Sequence, residues 1–144
     1  MISDSERKAV IPLLQEVPLF SSLNKKSLGN IANSGTVRSY RSGVTIAKEG
    51  EAAVAFYLIL EGAVEVRRGK KVLAKLGRGQ FFGEMALFDN QPRSADVVAT
   101  EETNCMLLKS WDLAGVVGAN PNIAMNIIKE LVRRLRDSDK ALSE

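Results

Sequence analysis

The residues best suited, by their types and spacing, to bind a ligand lie in the segment from Gly79 to Val97. Its pattern predicts a strand that ends at Gly83, a helical turn over Glu84–Phe88, and a loop that leads to Arg93. Backbone N–H groups at the start of a helix have no partner within it, so they form a site for an anion such as phosphate. Arg93 can give the same anion a positive charge and a forked donor, and Ser94 adds a hydroxyl.

A carboxylate at Glu84, beside an anion site, indicates which ligand the site would take. It would repel a bare phosphate, whereas it can accept hydrogen bonds from sugar hydroxyls that lie next to a phosphate. Arg93 is close enough in such an arrangement to keep Glu84 ionised. A phosphate and ribose hydroxyls in one compact pocket describe a nucleotide.

The segment lies in a stretch where glycines recur mostly at intervals of seven to twelve residues, which predicts the short strands and turns of an all-β sandwich or barrel. The clearest hairpin runs through 63–67, turns at 68–70 and returns through 71–76. Val64 and Val66 alternate there with polar residues, so one face is expected to be buried. The apolar run 54–60 predicts a strand covered on both faces.

Helices are predicted at both ends of the chain. Short ones are expected over Ser5–Leu14 and over Lys25–Ala32, the latter with Asn24 as its N-cap. Asn120 as N-cap and Pro121 at the first helical position predict a final helix. Along that helix, steps of four and three residues resemble a coiled-coil seam with one polar member. The members of this predicted seam are Ala124, Ile128, Leu131, Leu135, Ser138 and Leu142.

The composition excludes several classes of function. The 144 residues contain no histidine, which rules out a Ser-His-Asp triad, a Cys-His pair and a histidine-based metal site. The single cysteine, Cys105, cannot form an internal disulfide and is expected as a small buried side chain in a strand. Trp111 is also expected in the core. The net charge of +3 is too small to require a nucleic-acid partner.

The chain also has no sign of a membrane segment. No run approaches the roughly 18 apolar residues of a membrane span, and Met1–Glu16 carries charges ahead of a short apolar patch, unlike a signal peptide. We therefore expect a cytoplasmic protein with no membrane or nucleic-acid partner. The basic residues of the predicted hairpin are interpreted as a solvated edge that discourages strand pairing. These residues are Arg67, Arg68, Lys70, Lys71, Lys75 and Arg78.

Two short runs around the candidate anion site resemble the phosphate-binding cassette of the cyclic nucleotide-binding domain family. The runs are Phe82-Gly83-Glu84-Met85-Ala86-Leu87 and Arg93-Ser94-Ala95. The step of nine residues from Glu84 to Arg93 is similar to the family's spacing. The runs 50–51, 56–59 and 62–66 resemble the family's early strands and a turn beside them. The final helix, with Arg133, Arg134 and Leu135, is similar to that of bacterial catabolite-activator proteins.

The resemblance implies a mainly β fold with flanking helices, a double-stranded β-helix or jelly-roll barrel. It implies a single domain over 1–144, with N-terminal helices in 1–34, the barrel in 35–110 and C-terminal helices, including a long last one, in 111–144.

The resemblance also implies roles for individual residues. Glu84 would hold the ribose 2′-hydroxyl, while the cyclic phosphate would lie against the amides of Gly83, Glu84, Met85 and Ala86 and the side chains of Arg93 and Ser94. The remaining ligand-binding candidates are the apolar Val66, Leu73 and Leu76, near the base, and the final-helix residues Arg134, Ser138 and Asp139.

The function implied is that of a non-catalytic regulatory domain that binds cyclic AMP (cAMP), or else cyclic GMP (cGMP), as a ligand and uses no cofactor or metal. Ser94 favours cAMP, since threonine at that place often accompanies cGMP binding in the family. The ligand would reposition the C-terminal helix and so act on an unknown downstream protein. A homodimer would form through Ile128, Leu131 and Leu135.

Alternatives remain open. A domain of the same fold that has lost its ligand, and serves as a scaffold or dimerisation module, is favoured by Asp96, which adds negative charge near the anion site. Intact Glu84 and Arg93 argue against it. An enzyme on a similar barrel, such as a cupin, would require histidines. A DNA-binding regulator would require a recognition helix, which the sequence does not reveal.

Overall fold

The computed structural model describes residues 4–51, 55–83 and 92–143, with side chains at 5, 7–51, 55–83 and 92–137. The first helices are α1 (Asp4–Glu16), a 3-10 helix (Pro18–Phe20) and α2 (Lys25–Ser34). The strands that follow are β1 (Thr36–Tyr40), β2 (Thr45–Ala47), β3 (Ala55–Glu61), β4 (Ala63–Arg68), β5 (Lys71–Gly77), β6 (Phe81–Phe82), β7 (Asp96–Ala99) and β8 (Thr103–Lys109). The last helices are α3 (Ser110–Ala119) and α4 (Pro121–Ser143).

The strands form two four-stranded sheets in which neighbouring strands are antiparallel. The orders are β1-β8-β3-β6 and β2-β7-β4-β5, so the chain passes repeatedly from one sheet to the other. This arrangement is a jelly roll. It confirms the mainly β fold with flanking helices. The predicted hairpin is β4 and β5, in which Val64 lies opposite Leu76.

Strand β3 separates two apolar cores, because its side chains alternate between its two faces. Phe56 and Leu58 belong to the first core, which the helices and the outer face of the first sheet enclose. Ile59 and Tyr57 belong to the second core, between the two sheets. Fully burying a large apolar side chain contributes roughly 1.5–3 kcal/mol. The strand is therefore stabilised from both sides, as its apolar run predicts.

Two asparagines at helix ends have different roles. Asn24 caps α2 as predicted, since its Oδ1 accepts a hydrogen bond from the backbone N–H of Ser27 at 2.9 Å. The Nδ2 of Asn120 instead donates to the carbonyl of Val116 at 3.1 Å, at the end of α3. The carbonyl of Asn120 accepts from the N–H of Ile123 at 2.9 Å, so a backbone hydrogen bond leads into α4.

The buried face of α4 differs from the predicted seam. Ile123 and Ile127 are almost completely buried, and Leu131 packs against the first core. Asn126 fixes this orientation, because its Nδ2 donates to the carbonyl of Leu19 in the 3-10 helix at 3.0 Å. The prediction is therefore wrong for Leu131, which faces its own barrel. Among the α4 side chains that the structure describes, up to residue 137, the large apolar ones left exposed are Met125, Ile128, Val132 and Leu135.

Trp111 and Cys105 have opposite surroundings. Trp111 is 64% exposed, so its predicted place in the core is wrong; its ring lies 5.3 Å from the Nζ of Lys109. Cys105 is buried in β8, as predicted, and burial raises the pKa of its thiol to about 12. The thiol is therefore protonated at neutral pH and is not a nucleophile.

Candidate functional site

The structure describes the residues of the candidate anion site that lie on either side of the segment 84–91. Gly83 and Arg93 flank that segment, and both are described. Three candidates, Glu84, Met85 and Ala86, lie outside the described residues. Ser138 and Asp139 belong to α4, and their side chains are not described.

Gly83 follows directly after β6 in a conformation that favours glycine. Its φ is +84°, and a Cβ at this position would lie 2.5 Å from the carbonyl oxygen of Ala55 and 3.3 Å from Nη1 of Arg93. A side chain would therefore be strained by its backbone conformation and would displace both neighbours. The absence of a Cβ lets the guanidinium of Arg93 approach the backbone at the end of β6.

The backbone of Arg93 is fixed by the turn that follows β2. Its N–H donates to the carbonyl of Glu51 at 2.9 Å, and its carbonyl accepts from the N–H of Gly50 at 2.9 Å. These paired hydrogen bonds set the direction in which the side chain leaves the chain. The run 50–51, which the resemblance included among the family's early strands and turn, therefore lies beside the candidate site and supports it.

The guanidinium of Arg93 is half-buried and has little polar support. Its Nη2 donates to the carbonyl of Ala55 at 3.2 Å, and its Cζ lies over the ring of Tyr57, 5.3 Å from the centroid. No carboxylate of a described residue forms an ion pair with it. A shielded positive charge with forked N–H donors suits a bound anion.

Residues near Arg93 form hydrogen bonds with neighbouring parts of the barrel. The carbonyl of Ser94 accepts from Nε of Arg68 at 3.1 Å, while the Ser94 side chain is exposed. Arg68 is therefore more than a solvated hairpin residue, and the sequence pattern did not indicate this contact. Asp96 also has a structural partner, because its Oδ1 accepts from the N–H of Glu49 at 2.7 Å. The carboxylate that adds negative charge near the anion site thus connects β7 to the turn after β2.

The three apolar residues predicted near the base are not together in one patch. Leu76 is buried in the second core, and Val66 packs against that core. Leu73 is 41% exposed. The register explains the difference: Val66 pairs with Ala74 and Arg67 pairs with Val72, so Leu73 is the extra residue of a β-bulge.

Arg134 connects α4 to β6. Its Nη2 donates to the carbonyl of Phe81 at 2.7 Å, and its Cζ lies over the Phe81 ring, 4.8 Å from the centroid. Its Nε donates to Oε1 of Glu130 at 3.1 Å. Hydrogen bonds from Arg133 and then Arg134 lower the pKa of Glu130 despite its partial burial, so the carboxylate stays ionised at neutral pH. Arg134 thus contacts the strand that ends immediately before Gly83.

Residues 4–51, 55–83 and 92–143 form neither a metal site nor a membrane-spanning helix. No group of three or more cysteine, aspartate or glutamate residues is arranged to hold a metal ion there. No described helix is long and apolar enough to span a membrane.

Comparison with known proteins matches the sequence to a family. The sequence profile of the cyclic nucleotide-binding domain matches residues 37–120, a range that includes Gly83, Arg93 and Ser94. The cAMP-dependent protein kinase regulatory subunit of Mycosarcoma maydis is 38% identical over 109 residues, which cover 72% of this chain and 21% of that protein. The cyclic AMP receptor protein of Thermus thermophilus is 35% identical over 130 residues, which cover 87% of this chain and 60% of that protein.

A solved structure gives the same result for the fold. The catabolite activator protein of Thermus thermophilus superposes with a TM-score of 0.77 at 34% identity, covering 88% of this chain and 62% of that one. The chain spans between about a fifth and three fifths of the length of the two curated relatives. The family match covers more than half of the chain and includes both residues that flank the candidate anion site. The chain belongs to the cyclic nucleotide-binding domain family.

Proposed function

We propose that this chain is a non-catalytic regulatory domain that binds cAMP and couples its binding to the position of the C-terminal helix. The observation that carries the proposal is Arg93, a half-buried guanidinium fixed over Gly83 with no described carboxylate partner. The relatives named as a kinase regulatory subunit and as a cyclic AMP receptor protein support cAMP as the ligand. The proposed domain spans 1–144, and its cytoplasmic location and downstream protein remain predictions.

In the proposed complex, Arg93 binds the cyclic phosphate together with the backbone amides from Gly83 to Ala86, including that of Met85. Glu84 accepts from the ribose 2′-hydroxyl, and the Ser94 hydroxyl adds a donor to the phosphate. Val66 and Leu76 contribute apolar surface toward the base, and the bulge exposes Leu73 for the same purpose. From α4, Arg134 and the side chains at Ser138 and Asp139 approach the base, where either of the latter can accept from the adenine amino group.

Titration calorimetry with cAMP and with cGMP tests this function. We expect both nucleotides to bind and cAMP to bind more tightly, because guanine presents a carbonyl where adenine presents an amino group. The linear nucleotide 5′-AMP serves as a control for recognition of the cyclic phosphate. Binding of neither cyclic nucleotide would instead favour the scaffold alternative, and a preference for cGMP would overturn the choice of base.

The contact of Arg134 with β6 supports coupling between the site and α4. Arg134→Ala removes a charge-assisted hydrogen bond and a cation–π contact, so we expect amide exchange over 125–142 to become roughly tenfold faster in the free protein. Arg133→Ala is the matched control, because Arg133 pairs with Glu130 and Asp137 but has no described contact with β6. In the unsubstituted protein, cAMP should slow exchange over the same range. Equal exchange in the two variants, or no slowing with cAMP, would contradict the coupling.

The ion pairs that Glu130 forms with Arg133 and Arg134 within α4 have an expected pH dependence. The pKa of Glu130 is lowered in the folded protein, mainly by Arg133. Its stabilising contribution is therefore present above the ordinary carboxyl pKa of 4.5 and is lost as the pH falls through the lower, folded value.

The exposed apolar face of α4 supports a homodimer. Met125, Ile128, Val132 and Leu135 recur at steps of three, four and three residues, the spacing of a two-helix seam. We expect the protein to sediment as a dimer and the double variant Ile128→Asp with Leu135→Asp to sediment as a monomer. Val72→Asp is the control, since Val72 is an exposed apolar residue on the barrel instead. A monomeric unsubstituted protein, or a dimer that survives the double variant, would exclude this interface.

A further inference from the structure

A stack of three side chains ends at the candidate phosphate-binding arginine. The rings of Phe82 and Tyr57 are nearly parallel, 7° apart in orientation, with centroids separated by 4.6 Å. The guanidinium of Arg93 lies over the ring of Tyr57, with Cζ 5.3 Å from its centroid. The order of the stack is therefore Phe82, Tyr57, Arg93.

Backbone pairing fixes the two rings of this stack. Tyr57 on β3 and Phe82 on β6 are directly opposite each other in the antiparallel register. Both side chains belong to the second core, between the sheets. The position of the Tyr57 ring is thus determined by the sheet and by the packed ring behind it, without any contribution from a ligand.

The guanidinium of Arg93 needs the aromatic face of Tyr57 because it has few other contacts that could fix its orientation. Its one hydrogen bond to a described residue runs from Nη2 to the carbonyl of Ala55 at 3.2 Å, a long contact. A long arginine side chain loses considerable rotamer freedom when it is held in one orientation. A flat aromatic face attracts the planar cation and restricts its tilt, and this attraction strengthens as water is removed.

We propose that Tyr57, backed by Phe82, is a positioning residue that orients the Arg93 guanidinium toward the anion before any ligand binds. The identity of that anion as a cyclic phosphate rests on the proposed function, whereas the orientation of Arg93 in the free protein does not. The ring of Tyr57, rather than its hydroxyl, carries this role.

The first test needs no ligand. A proton above an aromatic face is shifted upfield, so NMR of the free protein should show the Arg93 side-chain Nε–Hε signal, assigned with Arg93→Lys, upfield of the signals of arginines that lie over no ring. Arg134, which lies over the ring of Phe81, is left out of this comparison. Tyr57→Phe should keep the shift and Tyr57→Leu should abolish it. Phe56→Leu is the matched control, because Phe56 is the neighbouring aromatic residue on the opposite face of β3 and should leave the shift in place. An unshifted Arg93 signal in the unsubstituted protein would overturn the proposal, whether or not the leucine variant folds.

The second test measures cAMP affinity in a double-mutant cycle. Tyr57→Leu should weaken binding by roughly three- to tenfold, and Tyr57→Phe should restore most of that loss. In the Arg93→Ala background, Tyr57→Leu should cause no further loss, because Tyr57 acts through Arg93. Losses that simply multiply would mean that Tyr57 supports the fold alone, and the proposal would fail while the proposed function stood. If the unsubstituted protein binds no cyclic nucleotide, the proposed function fails and the NMR result still decides the role of Tyr57.

Discussion

Replacing Arg93 with alanine is expected to weaken cAMP binding by roughly ten- to a hundredfold, the range given by a lost hydrogen bond to a charged group. The side chain is fixed over Gly83, and no described carboxylate neutralises it. The positive charge and the N–H donors of Arg93 would therefore be available to a bound phosphate. Titration calorimetry measures the loss, and the melting temperature of each variant shows whether the fold is intact.

Two further variants separate the causes of this loss. Arg93→Lys keeps the charge but loses the planar fork, so its affinity should lie between those of the alanine variant and the unsubstituted protein. Arg41→Ala removes the same charge from an exposed turn and should leave the affinity near that of the unsubstituted protein. If Arg93→Ala binds cAMP as tightly as Arg41→Ala does, Arg93 has a structural role and the cyclic phosphate does not bind to it.

Replacing Gly83 with alanine is expected to damage both stability and binding. The φ of +84° costs a residue with a side chain on the order of 1–3 kcal/mol. The added Cβ would also lie 2.5 Å from the carbonyl of Ala55, a backbone atom that must then move. That carbonyl is the acceptor for Arg93, so the displacement reaches the proposed phosphate contact. We expect the melting temperature to fall by roughly 5–10 °C and the affinity for cAMP to fall at least about tenfold.

Gly43 offers a matched control for this substitution. Its φ is +90°, but a Cβ there would meet nothing within 4 Å. Gly43→Ala therefore measures the cost of the backbone conformation alone, and it should leave cAMP affinity intact. Equal melting temperatures and equal affinities for the two alanine variants would show that the close approach at Gly83 has no consequence.

Local patterns predicted the barrel because its determinants are local. Alternating valines and a glycine turn specify the β4–β5 hairpin, and the continuous apolar run of β3 indicates a strand with two buried faces. The face of α4 depends on tertiary contacts instead. Apolar residues on that helix are numerous enough for two seams, and the hydrogen bond from Asn126 to Leu19 selects the one that faces the barrel.

The candidate site shows the same division between local and long-range determinants. Gly83 and Arg93 were predicted because their types and spacing are visible in the sequence. The ring of Tyr57 and the carbonyl of Ala55 reach Arg93 only through the pairing of strands far apart in the chain. A backbone carbonyl has no sequence signal at all, and an aromatic residue in an apolar strand is more often a simple core residue.

A crystal structure of the protein grown with cAMP would show whether the cyclic phosphate binds at Arg93. We expect phosphate oxygens within hydrogen-bonding distance of the Arg93 guanidinium, beside Gly83, with the Tyr57 ring still behind the cation. Nucleotide density elsewhere would exclude this mode of binding. One such place is the groove of about 350 Å³ between α2 and α3, which Trp111 helps to line.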